Sequence, residues 1–331
     1  MAPPTLMPTT LTIALERYDR HMPFFDGTVR PPEGVTLKAL QVGQIFPLKD
    51  GVSRHERMIH KGEFDLAEFS LSTYLMAKNR GLAMSAVPVF PRRLFTASQI
   101  WVHADSDLWQ PQDLIGKKVG LVAFQTTLSL LARGDLKFEY GVPWEEIEWC
   151  VTTAEKVPFT AKRGVKITRL PENADLGDLL EARAIDAFIV PHPPHAVMAG
   201  HTKARRLFAD TRGEELRYFK KTGYFPIMHV LAIRQDLVER EPWIAAAAIE
   251  MYAQAKAISD SYYDDPNWSR LAWGRHDFED ERRLLGSDPW PIGFAANRAN
   301  LARFIDYSYD QGLISETYPP EQLFVPSTLT S

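Results

Sequence analysis

The chain has 331 residues, of which 45% are hydrophobic and 24% charged, and a net charge of −4. That is enough apolar material for two medium domains or one large one, while the weak, mixed charge excludes a nucleic-acid partner, which would need a basic face. One cysteine, Cys150, excludes an internal disulfide and a cysteine-rich metal site, and reads as a small buried hydrophobe near a strand end.

Met1 to Thr10 holds three prolines and no basic residue, and the apolar run Leu11 to Leu15 is followed at once by Glu16, Arg17 and Asp19. A basic start, a long apolar core and a small-residue cleavage site are all missing, and no window approaches the length of a membrane span. The expectation is a cytoplasmic protein with no membrane partner. Leu11 to Leu15 reads as a first strand and the alternating Val35 to Val42 as a second. A helix follows at Arg54 to His60, a third strand at Asp65 to Leu71, and a helix capped by Ser72 to about Asn79. Ala86 to Phe90 is the next strand, and Gln99 to His103 a crossing strand.

Trp109 to Gly120 reads as a turn, a short helix and the start of a new strand, Val119 to Val122. A helix starting with Phe124-Gln125-Thr126-Thr127 and reaching about Tyr140, and strands at Ile147 to Val151 and Val165 to Leu170, continue the pattern. A helix at Leu176 to Arg183, a strand at Ala187 to Val190 and a last segment at Arg205 to Ala209 complete it. His229 to Arg234 reads as a return strand, and helical spacing fills Ile244 to Ile258 and Asn297 to Gln311. Strands alternating with helices predict an α/β fold with mainly parallel sheets. The expected lobes are residues 1–104 joined by 230–331, and an inserted lobe at 105–229, with a ligand cleft between them. Four polar strand exits should meet in that cleft: Tyr18 to Arg20, Glu68 to Thr73, Gln125 to Thr127, and Pro191 to His195.

Several stretches together resemble the 4,5-dihydroxyphthalate decarboxylase family: Tyr18-Asp19-Arg20, the run from Gly62 to Leu75, Pro88 to Arg93, Asp288 to Gly293, Asn297-Arg298 and Gln311-Gly312-Leu313. Their order and spacing cover nearly the whole chain. The resemblance implies a two-lobed type II periplasmic-binding-protein-like fold, cytoplasmic action on a small aromatic carboxylate and no cofactor. It also leaves room for a homo-oligomer. At the exit of Ala187 to Val190 the family pattern has a basic residue before paired prolines, whereas this chain has His192. Phe124 to Thr127 does not match the pattern either, so the aromatic acid bound is left open.

Losing carbon dioxide from such a ring requires a proton on the carbon bearing the carboxylate, a cationic clamp and a partner for the hydroxyls. Arg20, Arg92 and Arg93 are the candidate clamps, since a guanidinium binds a carboxylate through two parallel hydrogen bonds. Arginines at strand ends also commonly pair with surface acids. Asp19, Glu68 and His192 are the candidate catalytic acids or bases. Asp19 could equally pair with Arg20, and His192 could be a plain loop histidine. Tyr18, Ser70, Ser72, Thr73, Gln125, Thr126, Thr127 and His229 are the remaining candidate contacts, although helix capping accounts for the hydroxyls equally well. His192 and His195 flank two prolines, and with no third ligand nearby no metal site is expected. The alternatives are a non-catalytic aromatic-acid binding protein and an enzyme of the chorismate-dehydrating kind on the same architecture.

Overall fold

A computed structural model describes residues 9–43, 53–172 and 174–331. Residues Met1 to Pro8, on which the reading of the N-terminus partly rests, lie outside the described residues. Among the described residues eleven strands run in chain order: β1 (Thr9–Leu15), β2 (Val35–Gln41), β3 (Leu66–Ser70), β4 (Met84–Val87), β5 (Ile100–His103), β6 (Lys118–Leu121), β7 (Glu148–Val151), β8 (Ile167–Arg169), β9 (Ala187–Ile189), β10 (Ala204–Arg206) and β11 (His229–Arg234). They form two sheets. The first has the order β2-β1-β3-β11-β4, with β1 parallel to β2 and β3, and β11 antiparallel to β3 and β4. The second has the order β10-β5-β9-β6-β7-β8, parallel from β9 to β8 and antiparallel at β5 and β10.

Mainly parallel sheets need helices on both faces, so their central strands are buried on both sides and read as near-continuous apolar runs. All five residues of β3 are buried. On one face of the first sheet, Leu11, Ile13, Leu66 and Leu231 pack against the helix Trp243–Tyr262. On the other face, Ala14, Phe69 and Val230 join a core that continues into the second lobe through Val119, Leu121 and Leu128. Cys150 lies buried against Leu176, Leu180 and Phe188, as a small hydrophobe would.

Three features differ from the sequence expectation. The strand Ile100–His103, expected in the first lobe, pairs with β9 and β10 in the second sheet. A helix at Thr211–Thr222 fills a stretch for which the sequence pattern gave no element. The helix Arg298–Asp310 leaves the first lobe and packs on the helix Thr127–Tyr140 of the second. Side-chain bonds fix that last contact: Arg133 Nε donates to Gln311 Oε1 at 2.8 Å and Trp144 Nε1 to Asp310 at 2.8 Å.

Those two helices approach so closely that a Cβ added at Gly134 would lie 1.9 Å from the Tyr307 ring. The buried ring must shift to admit a methyl group, and overpacking of that kind costs about 1–3 kcal/mol. Gly134→Ala is therefore expected to lower the unfolding free energy by that amount, read as a lower urea midpoint at unchanged slope, and an unshifted midpoint would show that the contact is loose.

Candidate active site

Two helix N-termini meet where the lobes touch. Ser70 ends β3 and caps the helix Leu71–Asn79, its hydroxyl accepting from the Thr73 N–H at 3.4 Å. From the other lobe, Thr127 opens the helix Thr127–Tyr140; its Oγ1 lies 2.9 Å from Ser70 Oγ and accepts from the Ser72 N–H at 3.2 Å. Beside this junction lies a cavity of about 350 Å³, large enough for a substituted benzene ring.

Three histidines line it: His55 from the helix Arg54–Lys61, His192 after β9, and His229 at the start of β11. Behind His229 is the buried carboxylate of Glu68. His229 Nδ1 donates to Glu68 Oε1 at 2.5 Å, and Glu68 Oε2 accepts from the Glu16 N–H at 3.0 Å. Arg54, wholly buried, brings Nη2 to 3.4 Å from the same carboxylate and donates from Nε to the Glu68 carbonyl at 2.8 Å. Burial opposes charge on Glu68, but the Arg54 guanidinium and His229 hold its carboxyl well below the usual range. Burial pushes His229 down to about 4 against the pull of Glu68. An ionised carboxylate only accepts, so the hydrogen sits on Nδ1 and the Nε2 lone pair of His229 is left for a ligand.

Cationic and amide groups complete the wall. Arg92 donates from Nη2 to the Pro191 carbonyl at 3.2 Å, and its Nη1 lies 3.2 Å from His192 Nε2. Desolvation in the cleft and then the Arg92 charge push His192 down to about 4. Lys156 lies at the wall with Nζ donating to Ser53 Oγ at 2.7 Å. His55 Nε2 and Gln125 Nε2 are buried there with no hydrogen-bond partner among the described residues. Buried polar atoms are ordinarily hydrogen-bonded, so two without a partner set this wall apart.

The structure thus gathers Ser70, Thr73, Arg92, Gln125, Thr126, Thr127, His192 and His229 around one cavity. It places the other candidates elsewhere. Glu68, expected to face the cleft, is fully buried behind His229. The Ser72 side chain is buried and its hydroxyl has no partner among the described residues. Arg93 is tied to the Phe225 and Pro291 carbonyls and to Asn297, so it fastens the chain rather than reaching a ligand. Asp19 and Arg20 line a second cavity, of about 380 Å³, with Trp290 and the helix Gly274–Leu285. There Asp19 accepts from the Tyr263 hydroxyl at 2.7 Å, and the Arg20 guanidinium sits 4.0 Å over Tyr18 and 4.5 Å over Trp290. Tyr18 has its hydroxyl buried with no partner among the described residues; burial, then the Glu68 charge, raises it to about 12.

His55, Arg54 and Lys156 were missed by the sequence reading. A signal for the first two existed: Ser53 and Glu56 form a capping box that fixes residues 54 and 55 in the first turn. Among the described residues no group of three or more His, Cys, Asp or Glu is arranged to hold a metal ion.

The buried histidines carry a pH dependence. His21 and His229 sit at about 4 in the fold, and His55 well below its usual value, each because burial disfavours the imidazolium. Once unfolded they bind protons from about pH 6.5 downward. Their stabilisation is therefore present above about pH 6.5 and is lost as pH falls toward 4, at about 1.4 kcal/mol per unit for each. Asp135, raised by burial to about 7, runs in the opposite sense and offsets one of them. The urea midpoint is expected to fall between pH 7 and pH 5; a constant or rising midpoint would show the histidines already protonated in the fold.

No family model matches the chain. It is 32% identical over 330 residues to a 4,5-dihydroxyphthalate decarboxylase of Comamonas testosteroni, covering 97% of this chain and 98% of that protein. A 4,5-dihydroxyphthalate decarboxylase of Pseudomonas putida is 28% identical over 221 residues, which cover 65% of this chain and 83% of the relative. Among solved structures, the alkanesulfonate-binding protein SsuA from Xanthomonas axonopodis pv. citri, bound to MOPS, superposes with a TM-score of 0.58 at 16% identity, covering 97% of this chain and 99% of that one. That likeness shows the fold, the two-lobed architecture of periplasmic binding proteins. With alignment along almost its entire length to the Comamonas enzyme, the chain belongs to the 4,5-dihydroxyphthalate decarboxylase family.

Proposed function

We propose that the chain decarboxylates 4,5-dihydroxyphthalate to protocatechuate in the cavity between the lobes, without an organic cofactor. Family membership supports the substrate, and the observation that carries the chemistry is the Glu68–His229 pair on a wall shared with Arg92 and His192. Arg92 and Lys156 supply positive charge for the two carboxylates, and Thr127, Gln125 and His55 supply hydrogen-bonding groups. His229 is neutral at working pH, so its Nε2 takes the proton of the hydroxyl para to the departing carboxylate. Glu68 then steadies the imidazolium that forms, as a buried carboxylate does for a catalytic histidine.

His192 is the proton donor to the ring in this reading. In the free protein burial, and then Arg92 beside it, favours the neutral ring. A carboxylate docked on Arg92 offsets that charge, raises the histidine and lets it bind a proton. The proton passes to the ring carbon bearing the carboxylate, the C–C bond breaks, its electron pair restores the aromatic ring, and carbon dioxide leaves. One proton is consumed for each carbon dioxide released, and the hydroxyl proton returns from His229 with the product. The reading implies a cytoplasmic enzyme; among the described residues no helix is long and apolar enough to cross a membrane. It also assigns the two lobes as residues 1–104 with 230–331 and 105–229, adjusted so that β5 goes with the second.

The direct test mixes purified protein with 4,5-dihydroxyphthalate and follows carbon dioxide and protocatechuate. Turnover is expected; thermal stabilisation by the acid without turnover would make the protein a binder instead. His229→Gln is expected to lower kcat by about 10²–10⁴, the usual worth of a general base. Arg92→Ala should chiefly raise KM, by about tenfold or more for a lost charge-assisted bond. Calorimetric titration with phthalate, a dicarboxylate that lacks the hydroxyls the reaction needs, in two buffers of different ionisation enthalpy should show net proton uptake on binding. Equal heats in both would remove His192 from the donor role.

A further inference from the structure

From Asp260 to Ile292 not one residue is buried. This stretch includes the helix Gly274–Leu285, none of whose residues is buried, and it exposes Trp268 (45%), Leu271 (65%) and Trp273 (75%). A run of this length with three large apolar side chains in water is a surface that ordinarily meets another protein. Its charge narrows the choice of partner. Eight Asp and Glu stand against four Arg, a net charge of −4 in this arm alone. An anionic membrane surface repels such an arm, and so does a second copy of the same arm.

A surface of opposite character lies on the second lobe. An open groove of about 370 Å³ is lined by Trp101, Trp109, Arg205, Arg206 and Phe208. Arg205 lies 3.5 Å over the Trp109 ring and Arg206 4.9 Å over the Trp101 ring, so the groove is both aromatic and cationic. Trp109 is 56% exposed, whereas Trp101 is buried with an indole Nε1–H that has no acceptor among the described residues. A buried indole N–H normally finds a partner, and the one missing here is an acceptor such as a carboxylate. The groove and the arm share one face. Thr211 lines the groove and opens the helix Thr211–Thr222, and Arg212 of that helix lies 3.8 Å from Asp280 of the arm helix.

We propose that the arm of one copy docks in the Trp101–Arg206 groove of a second copy, and the second copy's arm in the groove of the first. Apolar knobs on an acidic arm meet aromatic walls carrying arginines, and the Trp101 N–H gains an acceptor. Because knob and groove occupy one face, a single two-fold axis makes both contacts at once, which closes this interface on itself. The surface is separate from the interlobe cavity, so the proposal stands independently of the decarboxylase chemistry.

Sedimentation of the full-length protein across a micromolar concentration range tests it, with Trp273→Ala altering the arm and Arg206→Glu the groove. Both side chains are exposed, and thermal melting checks that each variant is folded. The wild type is expected to be dimeric or larger, with each variant weakening association by about tenfold or more, the scale of a lost interface hot spot. An equimolar mixture of the two variants retains one intact arm–groove contact per mixed dimer, and should associate more tightly than either variant alone. A monomeric wild type, an assembly unmoved by either variant, loss on changing only one of the two surfaces, or a mixture no tighter than its components would each overturn it.

Discussion

Burying the Glu68 carboxylate is the constraint around which the rest of the site is arranged. Taken alone, an ionised carboxylate inside a protein costs several kcal/mol, and it is tolerated only when cations and donors surround it. Here they come from three separate parts of the chain: the Glu16 N–H beyond β1, Arg54 at the start of its helix, and His229 on β11. Arg54 also donates to the Val42 carbonyl after β2 and lies 3.6 Å from Glu16. One charge therefore sets the relative placement of three neighbouring strands and a helix. The imidazole presented to the cavity is held in one tautomer as a by-product of that structural requirement.

Between the lobes the joining groups are different in kind. The Ser70–Thr127 contact is a pair of hydroxyls, weak and easily remade, and it lies beside the cavity. The firmer connection is made away from it, where the C-terminal helix crosses to the second lobe. Buried Arg133 donates from Nη2 to the Phe124 carbonyl and from Nε to Gln311, and Tyr307 donates to Asp135 at 3.2 Å. Packing of apolar helix faces fixes the lobes as one body, while replaceable hydrogen bonds guard the cavity.

The histidines and arginines show how far sequence reasoning reached. His192 fell at a strand exit and His229 at the start of the antiparallel return strand β11, and both ends lie at the one cavity. Arg92 and Arg93 are adjacent and identical in type, yet neighbours on an extended segment point to opposite sides. One therefore reaches the cavity and the other is locked to Asn297. Asp19 and Arg20 follow the exit of β1 as expected, but the short turn Asp19–His21 and the stacking of Arg20 on Trp290 carry them to the neighbouring cavity. His55 stood outside every strand-exit pattern because it enters from a helix.

By itself the sequence determined the α/β class, the positions of most strands and helices, the family, and the set of polar strand exits from which a site would be drawn. Those follow from local periodicity, capping and motif order, all of which are properties of short stretches of chain. Only the tertiary structure decided that Glu68 stands behind His229 rather than beside the ligand, that Arg92 and Arg93 part company, and that a second cavity takes Asp19 and Arg20. The physical reason is that burial, tautomer and charge pairing depend on which distant strands come to lie side by side. That pairing is settled by packing of the whole chain and is written in no single segment of it.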